Sequence, residues 1–169
     1  SGAQNAQVAV QPNQPSQPQQ QGDLEAYDPV TADDHIKGDP DAPVVIIEYS
    51  DFDCSFCSRF HTTMNDIVAE RGDEVAWVYR HFPLEQLHPN APAVAVASEC
   101  VAELGGNEAF WSFTDGYFAA RGAGDETPHG QLIPELVVAA GVERTAFTEC
   151  FESGELNGFV QADVDDAVE

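Results

Sequence analysis

Two cysteines three positions apart, Cys54 and Cys57, enclose Ser55 and Phe56 and follow closely on the apolar run Val44-Val45-Ile46-Ile47. A C-x-x-C placed after a strand and at a helix start suits thiol chemistry. The first sulfur faces unpaired backbone N–H groups and the positive end of the helix dipole, and both favour the thiolate. A thiolate attacks a disulfide, and a second thiol one helical turn on closes the ring and releases the partner. Cys54 is therefore the expected nucleophile, exposed at the helix start, and Cys57 the expected resolving thiol, buried in the first turn. The alternative is a fixed structural disulfide. Ser55 and Phe56 offer the thiolate one hydroxyl and backbone amides and no histidine, so a less strongly oxidising pair is expected than Pro-His would give. Asp51 and Asp53 push the same way, because nearby carboxylates disfavour a further negative charge. His61 follows on the next turn, but a zinc site would need a fourth ligand. His81 or His88 could in principle supply it. No second C-x-x-C or H-x-x-H pair is present, so no metal is expected.

The elements that must position these groups follow from periodicity. The unbroken apolar run predicts a central strand over Val44–Ser50, buried on both faces. A helix over Phe56–Arg71 follows, stopped by Gly72. Alternation and β-branched or aromatic residues predict a second strand over Glu74–Phe82, which completes a parallel βαβ unit. His35 to Pro43 reads as a turn-rich lead-in whose prolines bar helix. Beyond His88 the pattern is helical only. Ala93–Leu104 ends at Gly105-Gly106, Asn107 caps Glu108–Ala120, and Gln131–Ala140, Thr145–Ser153 and Leu156–Val168 follow. Phe110, Trp111, Phe113, Tyr117 and Phe118 recur at helical spacing and read as core.

The 169 residues are 43% hydrophobic, enough for one domain with a core and some tail. Six Lys+Arg against 30 Asp+Glu give a formal net charge of −24, with Lys37 the single lysine. That charge repels phosphate and excludes nucleic acid as a partner; it also suits a high-salt environment. No run of apolar residues is long enough to span a membrane. Residues 1–26, rich in Gln and Pro, read as a disordered spacer, either a tether or a simple tail. The division expected is 27–87 for the βαβ part with the C-x-x-C and 88–169 for a helical domain. Cys100 and Cys150, both in expected helices, could staple that helical part with a disulfide or could be two buried thiols. The even set of four cysteines favours an oxidising, extracytoplasmic compartment.

Several segments together resemble the DsbA-like branch of the thioredoxin superfamily: His35-Ile36-Lys37-Gly38-Asp39-Pro40-Asp41-Ala42-Pro43, Glu48-Tyr49-Ser50-Asp51-Phe52 before the C-x-x-C, Tyr79-Arg80-His81-Phe82-Pro83-Leu84, and His88-Pro89-Asn90-Ala91. The resemblance implies an α/β, thioredoxin-like fold with an inserted helical domain and thiol–disulfide exchange on cysteines of exported proteins, without a cofactor. It implies a membrane quinone-linked thiol oxidase, or a reductase, as recycling partner. It places Glu48 beneath the active cysteines as a proton relay for Cys57, the alternative being an exposed strand-end carboxylate. Family members continue with a cis-proline loop, a hairpin and a last helix. The sequence here reads as truncated before them, which exposes a strand edge and predicts some self-association. A non-catalytic binding module, with structural or metal-holding cysteines, is the alternative function.

Overall fold

The segment Val75–His81 is buried along its whole length and forms the middle of a three-stranded sheet in the computed structural model, which describes residues 27–169. The expected spacer lies outside the described residues. The order is β1 (His35–Gly38), β2 (Val44–Ser50), α1 (Ser55–Arg71), β3 (Val75–His81), α2 (Ala91–Gly122), α3 (His129–Ala139), α4 (Arg144–Ser153) and α5 (Asn157–Val168).

β2 pairs in parallel with β3, from Val44 opposite Val75 to Ser50 opposite His81, with α1 between them, as the sequence predicts. The expected central position of β2 is corrected. The strand order is β1-β3-β2, and Val44 and Val45 are 49% and 48% exposed. The cause is β1. His35–Gly38, expected as an irregular lead-in, pairs antiparallel with β3 from His35 opposite Tyr79 to Gly38 opposite Ala76, so β3 has a neighbour on each side. The prolines that bar helix lie beyond Gly38 and leave a short strand free to form. Gly38 has φ +97°, and a Cβ there would lie 2.3 Å from the Val75 carbonyl oxygen, so only glycine lets the chain turn away this close to β3.

Alternation along the strands sets which side chains meet the helices. Trp77, Tyr79 and His81 share one face of β3, and Ile46, Glu48 and Ser50 share one face of β2. α1 and α2 cover the β3 face with rings: Trp77 lies 4.6 Å from Trp111 and Tyr79 5.5 Å from Phe110, centroid to centroid. Phe52, Phe110, Phe113 and Tyr117 are fully buried, so the aromatic stripe of α2 is core, as expected. Each such ring contributes roughly 1.5–3 kcal/mol on burial.

α2 spans both helices expected from the sequence, joined across a kink at Gly106, which has φ 78° and ψ −175°. Asn107, expected as a cap, instead donates from Nδ2 to the Ile36 carbonyl oxygen at 2.7 Å and ties the kink to β1. A disulfide joins Cys100 of α2 to Cys150 of α4 across 50 positions of sequence, which settles the pairing left open by the sequence. On the loop-entropy relation such a link stabilises by about 4 kcal/mol. Among the described residues no helix is long and apolar enough to cross a membrane.

Candidate active site

Cys54 is the N-cap of α1. Its backbone is extended (φ −81°, ψ 120°), and the Ser58 N–H donates to its carbonyl oxygen at 3.0 Å to open the first turn. No side chain caps this end, so the first-turn N–H groups point toward the sulfur's end of the helix without a side-chain acceptor. Both Cys54 and Cys57 are unpaired thiols, and Ser55 and Phe56 between them are exposed, Phe56 by 73%. Both thiols are half-buried, Cys54 rather than exposed and Cys57 rather than buried, because each packs in or beside the first turn of α1. Burial still pushes the Cys57 thiol up, and the Cys54 sulfur beside it does the same, while the Asp51 backbone and Ser50 hydroxyl oppose them.

Glu48 is buried at 8% exposure, on the face of β2 that looks toward α1. Burial raises its carboxyl above the ordinary range, against the hydrogen bond that Trp77 Nε1 donates to Oε2 at 2.9 Å. The exposed alternative is thereby excluded. Ser50 stands two residues on, on the same face. Its hydroxyl makes no hydrogen bond of good geometry, yet it lies near enough to Glu48, Cys57 and Tyr79 to favour the anionic form of each. The Tyr79 hydroxyl is likewise buried and unpartnered, and burial pushes it well up. Two unpartnered hydroxyls, those of Ser50 and Tyr79, thus lie buried on the sheet face that carries Glu48.

The two aspartates hold loops. The Asp51 carboxylate, 3% exposed, accepts from Asp53 N (2.8 Å) and Leu84 N (2.7 Å) and meets His88 Nδ1 (2.9 Å), which fixes the turn before Cys54 against the turn after β3. Asp53 Oδ1 accepts from the Tyr117 hydroxyl at 2.5 Å and meets His129 Nε2 at 3.3 Å. The histidines raised by a metal reading are dispersed. His61 Nε2 lies on Asp115 Oδ1 (2.7 Å), His81 Nε2 on Glu99 Oε1 (2.6 Å) and His88 on Asp51. Among the described residues, the one group of three with metal-ligating atoms all within 4.8 Å of one another is His35, His81 and Glu99.

Sequence reasoning missed three polar nodes, one half-exposed and two buried. Lys37 Nζ meets Asp115 Oδ2 at 2.8 Å and Asn65 at 2.5 Å, next to His61; these groups outweigh burial and bring the Asp115 carboxyl down to about 2. Arg80 is buried, which disfavours its charge, but Asp34 (2.8 Å), Asp166 (2.7 Å) and Tyr49 hold it above its ordinary range. His35 and His81 share Glu99 and, against the effect of burial, hold that carboxyl well below the usual range. A signal was available for Arg80 alone, a base inside a predicted strand in a chain with only six Lys and Arg; Lys37 falls in the segment expected as an irregular lead-in.

Comparison with known proteins agrees with this architecture. A family model described as Thioredoxin matches residues 30–169. The crystal structure of Pseudomonas aeruginosa DsbA2 superposes with a TM-score of 0.67 at 32% identity, over 83% of this chain and 75% of that one. Oxidised BdbD from Bacillus subtilis superposes with a TM-score of 0.64 at 19% identity, over 85% and 75%, a likeness of fold alone. In sequence, the chain is 42% identical over 116 residues to the Na(+)/H(+) antiporter NhaA 1 of Mycolicibacterium gilvum, a match covering 69% of this chain but 18% of that protein's length. Family model and fold point the same way: the chain belongs to the thioredoxin family, in its DsbA-like branch.

Proposed function

We propose that the chain carries out thiol–disulfide exchange on cysteine-containing proteins outside the cytoplasm, through Cys54 and Cys57. The observation that carries this reading is Cys54 at an uncapped helix start with a second thiol one turn away. The Cys54 thiolate attacks a substrate disulfide, a mixed disulfide forms, and the departing substrate thiolate takes a proton. Cys57 then attacks Cys54 Sγ, the mixed disulfide breaks, and the second substrate sulfur leaves as thiolate. The substrate gains two electrons and the Cys54–Cys57 pair loses them; run backward, the same steps oxidise a dithiol. Glu48, whose carboxyl burial raises, receives the Cys57 proton, with the buried Ser50 hydroxyl near both groups.

The Cys100–Cys150 disulfide supports an oxidising compartment. A membrane quinone-linked oxidase, or a reductase, resets the pair. Ser55 and Phe56 set its potential below that of a Pro-His pair, and the Asp51 and Asp53 carboxylates push the same way by disfavouring a further negative charge. The match spans only 12% to 18% of the length of the first curated relatives. The exposed Val44 and Val45 of β2 support concentration-dependent association, which light scattering tests. The decisive experiment is a glutathione redox titration with each cysteine identified by alkylation and mass spectrometry. Cys54 and Cys57 titrate together while Cys100 and Cys150 stay oxidised. A first pair that never exchanges overturns the reading.

A further inference from the structure

On the helix-covered face of the sheet, at its β1 side, three residues from three elements converge. His35 of β1 lies opposite Tyr79 of β3, so His81, two residues on, presents its ring on the same face. Glu99, from the first half of α2, reaches between them. Its Oε1 lies 2.7 Å from His35 Nε2 and 2.6 Å from His81 Nε2. The three are held from outside. His35 stacks on Phe110 with centroids 3.5 Å apart, and the backbone N–H of His81 donates to Asp163 Oδ2 of α5 at 2.7 Å. His81 and Glu99 are buried.

We propose that His35, His81 and Glu99 form a binding site for a divalent transition-metal ion of the zinc or cobalt type. Two imidazoles and one carboxylate on rigid elements are the donor set such ions prefer, whereas calcium and magnesium favour oxygen throughout. Metal–ligand bonds of about 2.0–2.2 Å in tetrahedral geometry place ligand atoms about 3.3 Å apart. Glu99 Oε1 need move only about 0.6–0.7 Å further from each imidazole nitrogen than in the present hydrogen bonds, and the ligand atoms already lie within 4.8 Å of one another. An access route exists. A cleft of about 220 Å³ opens onto His35 and Glu99 and is walled by Asp33, Asp34, Glu103 and Asn107, so carboxylates line the approach and water can fill the fourth position. A net charge of −24 favours the cation's arrival. The site does not involve Cys54 or Cys57, and it stands whether or not those exchange.

The test is a Co(II) titration of the chelator-washed chain in excess Mg²⁺, with Cys54 and Cys57 alkylated so that no thiolate competes. The site gives the visible d–d absorption of four-coordinate Co(II), at one ion per chain, lost on addition of Zn²⁺. His35→Gln and Glu99→Gln each weaken binding by more than about 100-fold, since removal of a ligand exceeds the effect of losing an outer partner. In the unmutated chain, Zn²⁺ shifts the imidazole NMR signals of His35 and His81, which needs no variant to fold. Absence of the d–d band at millimolar Co(II), or binding that both substitutions leave unchanged, overturns the proposal and leaves the cluster as hydrogen bonds alone.

Discussion

Removing the Cys100–Cys150 disulfide as C100A/C150A isolates a single covalent constraint between α2 and α4. The two residues are 50 positions apart, and the loop-entropy relation at 25 °C gives about 4 kcal/mol of stabilisation from the unfolded state alone. Cys100 is fully buried within the core, so deleting its sulfur adds a small packing loss of about 1 kcal/mol. The total, about 5 kcal/mol, is comparable with the whole stability of many domains. The assay is urea unfolding followed by circular dichroism at high ionic strength, where salt screens the charge of −24. The double variant unfolds at much lower urea, while C54A/C57A, whose pair closes only a tiny loop, shifts the midpoint far less. A loss below about 1 kcal/mol in C100A/C150A refutes the reasoning, because the link would then constrain an unfolded chain that is already compact.

Glu48→Gln keeps an acceptor for Trp77 Nε1 while removing the charge. Because burial raises the folded carboxyl above 4.5, the folded state holds a proton that the unfolded state loses, and stability falls as pH rises through that window. The variant is therefore more stable than the parent at pH 7 and indistinguishable near pH 4, as thermal melts across pH will read, and its Cys57 resolves mixed disulfides several-fold more slowly. Asp115 has the opposite sign. Its folded carboxyl, at about 2, lies below the unfolded value of 3.8, so its contribution is present above about pH 4 and fades toward pH 2. Asp115→Asn is less stable than the parent at neutral pH, and the gap closes on acidification in the same melts. Ser50→Ala removes a hydroxyl that favours the Cys57 thiolate, so alkylation of Cys57 shifts to higher pH, while Cys100 and Cys150 stay unreactive.

The elements that carry the thiols were legible because they follow local rules. A C-x-x-C ahead of a helix that stops at glycine, followed by an alternating strand, specifies its own boundaries, and the observed α1 and β3 match within a residue or two. β1 was not legible. Four residues ahead of two prolines carry no periodic signal of their own, and they become a strand only because β3 offers an unpaired edge. The same dependence on tertiary contact hid the polar nodes. That His61 would meet Asp115, 54 residues away, or that Asn107 would bond Ile36 instead of capping its helix, is decided by how α2 lies across the sheet. Glu48 was readable as a buried acid through resemblance, but the unpartnered hydroxyls of Ser50 and Tyr79 beside it appear only once strand alternation brings them to one face.

Arg80 does more than neutralise charge. Its guanidinium bonds the Asp28 carbonyl oxygen at 2.9 Å and the Asp166 carboxylate at 2.7 Å, and the Asp28 N–H itself donates to Asp166 at 2.5 Å. Two points of the chain 138 residues apart are thus fastened side by side on the central strand. The clasp ties the segment ahead of β1 to α5 through the middle strand, so a single substitution at Arg80 would release both at once.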